Sequence, residues 1–190
     1  MKDGSMATGE SRVREALVVS ADECALVDAL SSAAADARPR PSDHGEGQTP
    51  HAASFFEGFA LKGIRVDSVQ PGALDCSFTV PPRLTDRSGC LAAGAVVSLV
   101  DEVGSAASIA DGRSLKVSVD MSVSFVSLSQ TRPGDRLRIT ARALGHKGAY
   151  SGTHVLISNA ATGEVVAEGR HSLFGKMNVV PFTPTTTSKL

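Results

Sequence analysis

The sequence LAAGAVVSLVDEVGSAASIA, residues 91–110, consists of small and apolar side chains interrupted by the carboxylates Asp101 and Glu102. Leu, Val and Ile recur on all sides of such a helix, so we predict that it is buried all round. A buried carboxylate without a partner is costly, which points to a hydrogen-bonded or chemical use for the pair. The alternative is that both acids tip out of the helix at a subunit interface or cap a neighbouring element.

Composition limits the classes of protein that this chain can represent. Its 190 residues fit one domain with tails, and 42% hydrophobic residues with 4% aromatics and no Trp indicate a core of Val, Leu, Ala and Ile. A formal net charge of −1 gives no electrostatic case for nucleic acid or an anionic membrane as a partner. Two acids in the middle of residues 91–110 make membrane insertion unfavourable, so we expect no membrane span.

Hydrophobic alternation with a period of two surrounds this helix. Ile64, Val66 and Val69 mark one strand, and a second runs from Leu74 to Val80, after the turn Gln70-Pro71-Gly72. Four further strands are predicted at residues 116–127, 135–145, 149–159 and 164–174, joined by turn-forming breaks. The order predicts an α+β fold, with a curved antiparallel sheet wrapped around one long central helix.

The ends of the chain differ from this pattern. Residues 1–50 are predicted to be a largely disordered extension with one short helix reaching about Ala37, and residues 38–48 read as a linker. The folded domain is placed at 51–176. It opens with a helix at 51–60 whose Phe55, Phe56 and Phe59 favour core packing over a ligand platform.

Residues 177–190 are predicted to be a flexible tail. They end in Ser188-Lys189-Leu190, which matches the tripeptide that the peroxisomal import receptor binds. We therefore expect a peroxisomal location.

Cysteine and histidine give no sign of a metal site. Cys24, Cys76 and Cys90 show no metal spacing, and no apolar leader follows Met1, so we expect unpaired thiols in a non-secretory compartment. Cys90 is better explained as a small buried hydrophobe than as a nucleophile, because no His lies near it in sequence. None of the five His residues has a second ligand at metal spacing, so we expect neither a metal nor a cofactor.

Three segments together resemble a known family. GCLAAGAVVSLVDEVGSAASIA, then VSVDMSVSFVS, then GEVVAEGRHSLF are similar, in this order, to the hotdog-fold acyl-CoA thioesterases, in particular to the phenylacetate-pathway and acyl-CoA thioesterase 13 branch. The resemblance covers roughly residues 55–174. It implies a hotdog fold and hydrolysis of acyl-CoA thioesters, although the same fold also hosts dehydratases and non-catalytic binders.

The resemblance assigns roles to four positions. It implies that Asp101 activates water beside the thioester carbon, with no paired His competing as the base, and that Ser118, near the dimer interface, helps to hold this water. It further implies that the backbone N–H of Ala93 polarises the thioester carbonyl, and it places Asp86 where the family usually has a loop Asn. Without the resemblance, the alternation along this strand would assign Ser118 an outward, solvated position.

Two departures accompany these roles. Where family members often carry His-Gly-Gly, this chain has Ala92-Ala93-Gly94, which removes a side-chain donor but keeps the backbone donors of the first helical turn. The Asp at position 86 adds a second carboxylate near the water or replaces a lost donor.

Substrate binding is assigned to four residues: Gly94, Arg113, His146 and Lys147. The last three lie in the segments Asp111-Gly112-Arg113 and Gly145-His146-Lys147-Gly148, where they are candidates to contact CoA phosphates. Solvated turns are the alternative for both segments.

Three functions follow as hypotheses. The first is a peroxisomal acyl-CoA thioesterase, and the second is a non-catalytic or weakly catalytic acyl-CoA-binding protein. A hotdog dehydratase is disfavoured because no acid is followed by a His at the spacing of such enzymes. A single sheet would leave the strand at residues 116–127 unpaired, so we expect a homodimer or homotetramer.

Overall fold

The computed structural model describes residues 20–36 and 55–175. The chain divides into two units, Met1–Gly58 and Phe59–Leu190. The helices are α1 (Ala21–Asp36), α2 (Phe55–Leu61) and α3 (Ala93–Ala110). The strands are β1 (Arg65–Gln70), β2 (Ala73–Thr79), β3 (Val117–Phe125), β4 (Arg136–Lys147), β5 (Tyr150–Asn159) and β6 (Val165–Phe174). Short 3₁₀ turns lie at Pro82–Leu84 and Leu128–Gln130.

Of the helices and strands that the structure describes, helix α1 lies wholly within the first unit. The N–H of Cys24 donates to the carbonyl of Ser20 at 2.9 Å, and Leu26, Val27 and Leu30 are exposed. The remaining predictions for residues 1–50, the linker at 38–48 and the tail at 177–190 with Ser188-Lys189-Leu190 fall outside the described residues.

The six strands form one antiparallel sheet in the order β1-β2-β4-β5-β6-β3. Strands β4, β5 and β6 follow one another as a meander, whereas β3 pairs with β6 and places Ser118 opposite Leu173. Strand β3 is therefore an edge strand of this sheet. The predicted α+β architecture, an antiparallel sheet packed against one long helix, is confirmed.

The core lies between α3 and one face of the sheet. Val96, Leu99 and Val100 on α3 are fully buried against inward-facing side chains, among them Phe78, Leu137, Ile139, Val155 and Ile157. A Cβ on Gly169 of β6 would lie 2.5 Å from Cγ1 of Val100, so only glycine permits this close approach. The middle of α3 therefore packs against β6 at Gly169, two residues before His171.

The prediction that α3 is buried on all sides is wrong for the single chain. Ala93 and Gly94 are exposed, Val97 is 39% exposed, and the Asp101 side chain is 39% exposed. The reason is that the sheet covers only one side of the helix. The helix begins at Ala93 rather than at residue 91, because Leu91 forms a β-bridge with Thr85 and Ala92 has an extended backbone. It ends at Ala110, and its C-cap Asp111 is followed by Gly112 with a φ of 76°.

Two local predictions also need correction. The turn expected at Gly145–Gly148 is shorter, because β4 continues to Lys147 and Gly148, with a φ of 59°, reverses the chain into β5. His146 therefore lies in a strand. Phe56 and Phe59 are 64% and 36% exposed rather than packed in the core, because the short helix α2 buries only Ala60.

Candidate active site

Asp101, Ser118 and His171 are brought together from three elements, α3, β3 and β6. The Ser118 hydroxyl donates a hydrogen bond of 2.6 Å to Oδ1 of Asp101. Nε2 of His171 lies 3.2 Å from the same oxygen. No described residue forms a hydrogen bond or ion pair with the second carboxylate oxygen, Oδ2, and the Asp101 side chain is 39% exposed.

His171 lies beneath the carboxylate and is completely buried. Burial lowers the pKa of its imidazole, and the negative charge of Asp101 opposes this shift in part. The ring is therefore neutral at physiological pH. The 3.2 Å approach is not aligned as a hydrogen bond, and Nδ1 has no partner among the described residues. The contact is electrostatic, between the ring and the carboxylate of Asp101.

Gly104, one turn after Asp101, makes room for this ring. A Cβ at Gly104 would lie 2.9 Å from Nδ1 of His171 and 2.9 Å from Oγ1 of Thr153. Both polar side chains therefore press against the helix backbone at a position where a larger residue would displace them. The position of His171 under Asp101 depends on this glycine.

No spacing in the sequence indicated that a His lies beside Asp101. His171 lies far from Asp101 in sequence, and only the fold joins them. The alternation of buried and exposed positions along β6 could have indicated that His171 faces the core. The inward-facing residues are Ala167, Gly169, His171 and Leu173. A titratable side chain in an otherwise apolar inward register is the signal that sequence reasoning missed.

The start of α3 offers backbone donors. Ala92 caps the helix without a side-chain hydrogen bond, and its own N–H donates to the carbonyl of Leu84 at 2.9 Å. The N–H groups of Ala93 and Gly94 have no acceptor among the described residues. Both residues are exposed, so these amides can bind an incoming oxygen.

Asp86 does not approach the Asp101 cluster through any of its hydrogen bonds. Its Oδ1 accepts from the N–H and hydroxyl of Ser88, at 2.8 and 2.6 Å, and from the N–H of Cys90 at 3.1 Å. The hydrogen bond from Ser88 is the main cause that lowers the pKa of Asp86, followed by that from Cys90. The structure thus gives Asp86 a role in shaping the loop before α3.

Cys90 is enclosed by polar groups of the same region. Nη1 of Arg132 lies 2.8 Å from its sulfur, and the thiol also contacts the carbonyl of Ser129 at 3.3 Å. The residue is 6% exposed, as expected for a buried small side chain. No His is among the contacts of Cys90 in the described part of the chain, so the nucleophile alternative gains no base.

The four residues assigned to substrate binding differ in their exposure and in their hydrogen bonds. Gly94 and Lys147 are exposed, and Arg113 is half-buried with its Nε unpartnered among the described residues. His146 differs, because Nδ1 lies 2.6 Å from the hydroxyl of Ser151 and Nε2 lies 2.6 Å from a carboxylate oxygen of Asp111. Both ring nitrogens are engaged within the chain, and the assignment of His146 to substrate binding stays a prediction.

The geometry of α3 sets the distance between the Asp101 carboxylate and the backbone N–H of Ala93. Ala93 and Asp101 are both on α3, and a rise of 1.5 Å per residue separates them by roughly 12 Å along its axis. A water held by Asp101 must attack a carbonyl whose oxygen lies within about 3 Å of its donor. The base and the backbone donor of one chain are therefore about two turns apart on the same helix.

Two clefts of the single chain lie elsewhere. One of about 380 Å³ is lined by residues that include Thr140, Arg142 and His154, and another of about 530 Å³ is lined by residues that include Asp67 and Arg138. Neither includes Asp101. The Asp101 side chain is 39% exposed in the single chain.

No model of a protein family matches the chain. Acyl-coenzyme A thioesterase 13 of Homo sapiens is 33% identical over 113 residues, which are 59% of this chain and 79% of that relative. The chain belongs to the hotdog-fold acyl-CoA thioesterase family. Zebrafish thioesterase superfamily member 2 has 30% identity and a TM-score of 0.58, covering 61% of this chain and 84% of that one. The smu.793 protein of Streptococcus mutans, solved bound to acetyl CoA, has 17% identity and a TM-score of 0.56, covering 72% of this chain and 99% of that one.

This hotdog-fold thioesterase has an arrangement suited to proton transfer from water. One carboxylate oxygen of Asp101 accepts the Ser118 hydrogen bond and lies beside the His171 ring, while the other oxygen has lone pairs that can accept a proton. Within residues 20–36 and 55–175, no group of three His, Cys, Asp or Glu side chains could hold a metal ion.

Proposed function

We propose that this protein hydrolyses acyl-CoA thioesters to the free acid and CoA. The observation that carries the proposal is the Asp101 carboxylate on the central helix, which accepts a hydrogen bond of 2.6 Å from Ser118, lies 3.2 Å from Nε2 of His171 and is 39% exposed. The acetyl CoA bound in the S. mutans structure and the activity named for the human relative support acyl-CoA as the substrate class.

In the proposed reaction, Asp101 takes a proton from water while the water oxygen adds to the thioester carbonyl carbon. The carbonyl electron pair moves to the oxygen, where backbone N–H groups stabilise the negative charge. When the carbonyl re-forms, the C–S bond breaks and the CoA sulfur leaves with the electron pair and the proton that Asp101 received. Acid and CoA are the only products, and no co-reactant besides water is needed.

We propose that two copies of the chain build each site. The roughly 12 Å between Ala93 and Asp101 along one helix supports this, because the Ala93 amide of a second copy must then serve the Asp101 of the first. The exposed stripe of Ala93, Gly94 and Val97 on α3 provides a surface for such packing. The edge strand β3 adds exposed apolar side chains: Val117, Val119 and Phe125.

The remaining assignments are parts of the same proposal. Arg113 and Lys147 are proposed to contact the CoA phosphates, since Arg and Lys are the usual partners of such groups. Ser188-Lys189-Leu190 is proposed to direct the protein to the peroxisome. A homodimer or homotetramer is the proposed working assembly.

The experiment that tests the activity is a panel of acyl-CoA substrates with a free-thiol readout. Release of CoA well above the buffer rate supports hydrolysis. A specific observation favours the second candidate, an acyl-CoA-binding protein with weak turnover: Ala92 and Ala93 at the start of α3 supply no side-chain donor to the carbonyl oxygen. Acyl-CoA binding by calorimetry with CoA release no faster than buffer would establish that candidate instead.

A further inference from the structure

A second buried polar cluster lies at the far end of α3. Nζ of Lys116 donates to the hydroxyl of Ser151 at 2.7 Å and to the carbonyl of Ala149 at 2.8 Å. The Ser151 hydroxyl is 2.6 Å from Nδ1 of His146, whose Nε2 is 2.6 Å from Oδ2 of Asp111. We name this group of four side chains, Lys116, Ser151, His146 and Asp111, the β3 clamp.

The hydrogen bonds of the β3 clamp form a complete chain. Lys116 donates to Ser151, the Ser151 hydroxyl is hydrogen-bonded to Nδ1 of His146, and Nε2 of His146 is hydrogen-bonded to the carboxylate of Asp111. The sequence of contacts Asp111, His146 and Ser151 resembles the Asp-His-Ser triad of hydrolases. Ser151 is 0% exposed, however, so no substrate reaches its hydroxyl, and the cluster is structural.

The lysine of the β3 clamp is buried, although an ammonium group is more stable in water. Lys116 is 9% exposed, and burial followed by the nearby charge of Arg113 lowers its pKa. A buried ammonium is costly unless it is hydrogen-bonded. Its two acceptors both belong to the segment between β4 and β5 and the start of β5, so its partners tie the beginning of β3 to that hairpin.

The position of Lys116 in sequence connects the clamp to the active site. Lys116 precedes β3 by one residue, and Ser118 follows it by two, so the two side chains lie on the same face of the extended chain. The intervening Val117 is 67% exposed and points away. Strand β3 pairs only with β6, and its register shifts between Ser118 and Asp120, so the β3 clamp adds a second attachment at the start of this edge strand.

We propose that Lys116 is a positioning residue for thioester hydrolysis, because the clamp fixes the start of β3 and thereby holds the Ser118 hydroxyl on Asp101. This inference rests on the proposed function. Lys116 touches neither water nor thioester in this scheme and acts through Ser118.

The test compares Lys116→Met, Ser118→Ala and the double variant in the full-length protein, with Lys62→Met, an exposed lysine outside the sheet, as the matched control. Lys116→Met is expected to lower kcat by about tenfold, since small displacements of positioning groups cost this much or more, with KM changed less than about twofold. In the Ser118→Ala background the same substitution is expected to change kcat by less than about twofold. Lys62→Met leaves both constants unchanged.

Two measurements keep the inference separate from the proposed activity. Hydrogen exchange of the peptide containing Val117 and Ser118 is expected to be faster in Lys116→Met and unchanged in Lys62→Met. If the wild-type protein hydrolyses no acyl-CoA, the proposed function fails, while the exchange result still decides whether Lys116 holds β3. Unchanged exchange, an unchanged kcat, or a loss that adds fully to that of Ser118→Ala overturns the inference. Ser151→Ala, which removes the acceptor and keeps the lysine stem, decides the same questions if Lys116→Met does not fold.

Discussion

Nε2 of His171 lies 3.2 Å from Oδ1 of Asp101, so a buried neutral ring supports a carboxylate that faces the surface. The ring and the Ser118 hydroxyl both contact Oδ1. The Ser118 hydrogen bond orients the carboxylate through Oδ1, while Oδ2 has no hydrogen bond or ion pair with a described residue. The arrangement makes Asp101 the base in the proposed reaction.

Asp101→Asn is expected to lower the rate of CoA release by at least about a hundredfold, because the amide cannot take a proton from water. Asn has the same shape and can still accept from Ser118, so the midpoint of thermal unfolding is expected to stay close to that of the wild type. The free-thiol assay and circular dichroism measure the two effects. A variant that retains the wild-type rate would place the base at another residue.

Ala93→Pro tests the backbone donor without a side-chain change of charge. Proline fits the first position of a helix, where its missing N–H costs no helical hydrogen bond. Loss of one carbonyl donor is expected to lower kcat by roughly 10² to 10³. Near-normal turnover with a folded helix would exclude this amide as the donor.

Mixing Ala93→Pro with Asp101→Asn tests whether each site uses two copies. In a heterodimer, one site combines the intact Ala93 of one chain with the intact Asp101 of the other. Random pairing after joint refolding is therefore expected to restore about a quarter of the wild-type activity. Activity no higher than the mean of the two single variants contradicts the shared site, and light scattering verifies that dimers have formed.

The burial of His171 predicts a pH dependence of stability. Its folded-state pKa is lowered from 6.5, so the unfolded chain binds the proton at a higher pH than the folded one. The free energy of unfolding is therefore expected to fall as the pH drops below about 6.5, by no more than about 1.4 kcal/mol per pH unit from this group. Urea denaturation between about pH 7.5 and 5.5 measures it.

His171→Gln is the control for that measurement, because glutamine does not titrate. The wild type is expected to lose more stability over this pH range than the variant, and the difference between the two curves isolates the imidazole from carboxylates that also titrate. Parallel curves would show that His171 does not carry the effect.

Gly104→Ala is expected to damage the site through His171. The added Cβ would lie 2.9 Å from Nδ1 of His171 and from Oγ1 of Thr153, so the ring must shift away from Asp101. We expect a loss of stability of about 1–3 kcal/mol from overpacking, partly offset by the better helix propensity of alanine, together with reduced kcat. Denaturation and the free-thiol assay test it. A variant as active as the wild type and more stable than it would refute the close packing.

The peroxisomal address is tested in cells. A fluorescent protein fused to the N-terminus is expected to colocalise with a peroxisomal marker, and deletion of Leu190 is expected to leave it diffuse. Identical distributions of both fusions would contradict an import role for Ser188-Lys189-Leu190.

The limits of sequence reasoning are visible in His146 and His171. Neither residue has a partner at a short spacing in the sequence, so the sequence predicts no contact for either. In the fold, His146 joins Asp111 and Ser151, and His171 joins Asp101. These contacts depend on strand register and on glycines that admit close packing, and neither property is periodic along the chain.

The sequence by itself determined the long helix and the strands around it, because alternating and helical hydrophobic patterns follow from which side of each element is buried. It also pointed to Asp101 through the cost of a carboxylate in an apolar helix. Only the tertiary structure decided that Ser118 and His171 share one oxygen of that carboxylate, since the pairing of β3 with β6 and the packing of Gly169 on Val100 set these distances. It likewise decided that the sheet covers a single side of α3, because burial of a helix is a property of what packs on it and not of its own composition.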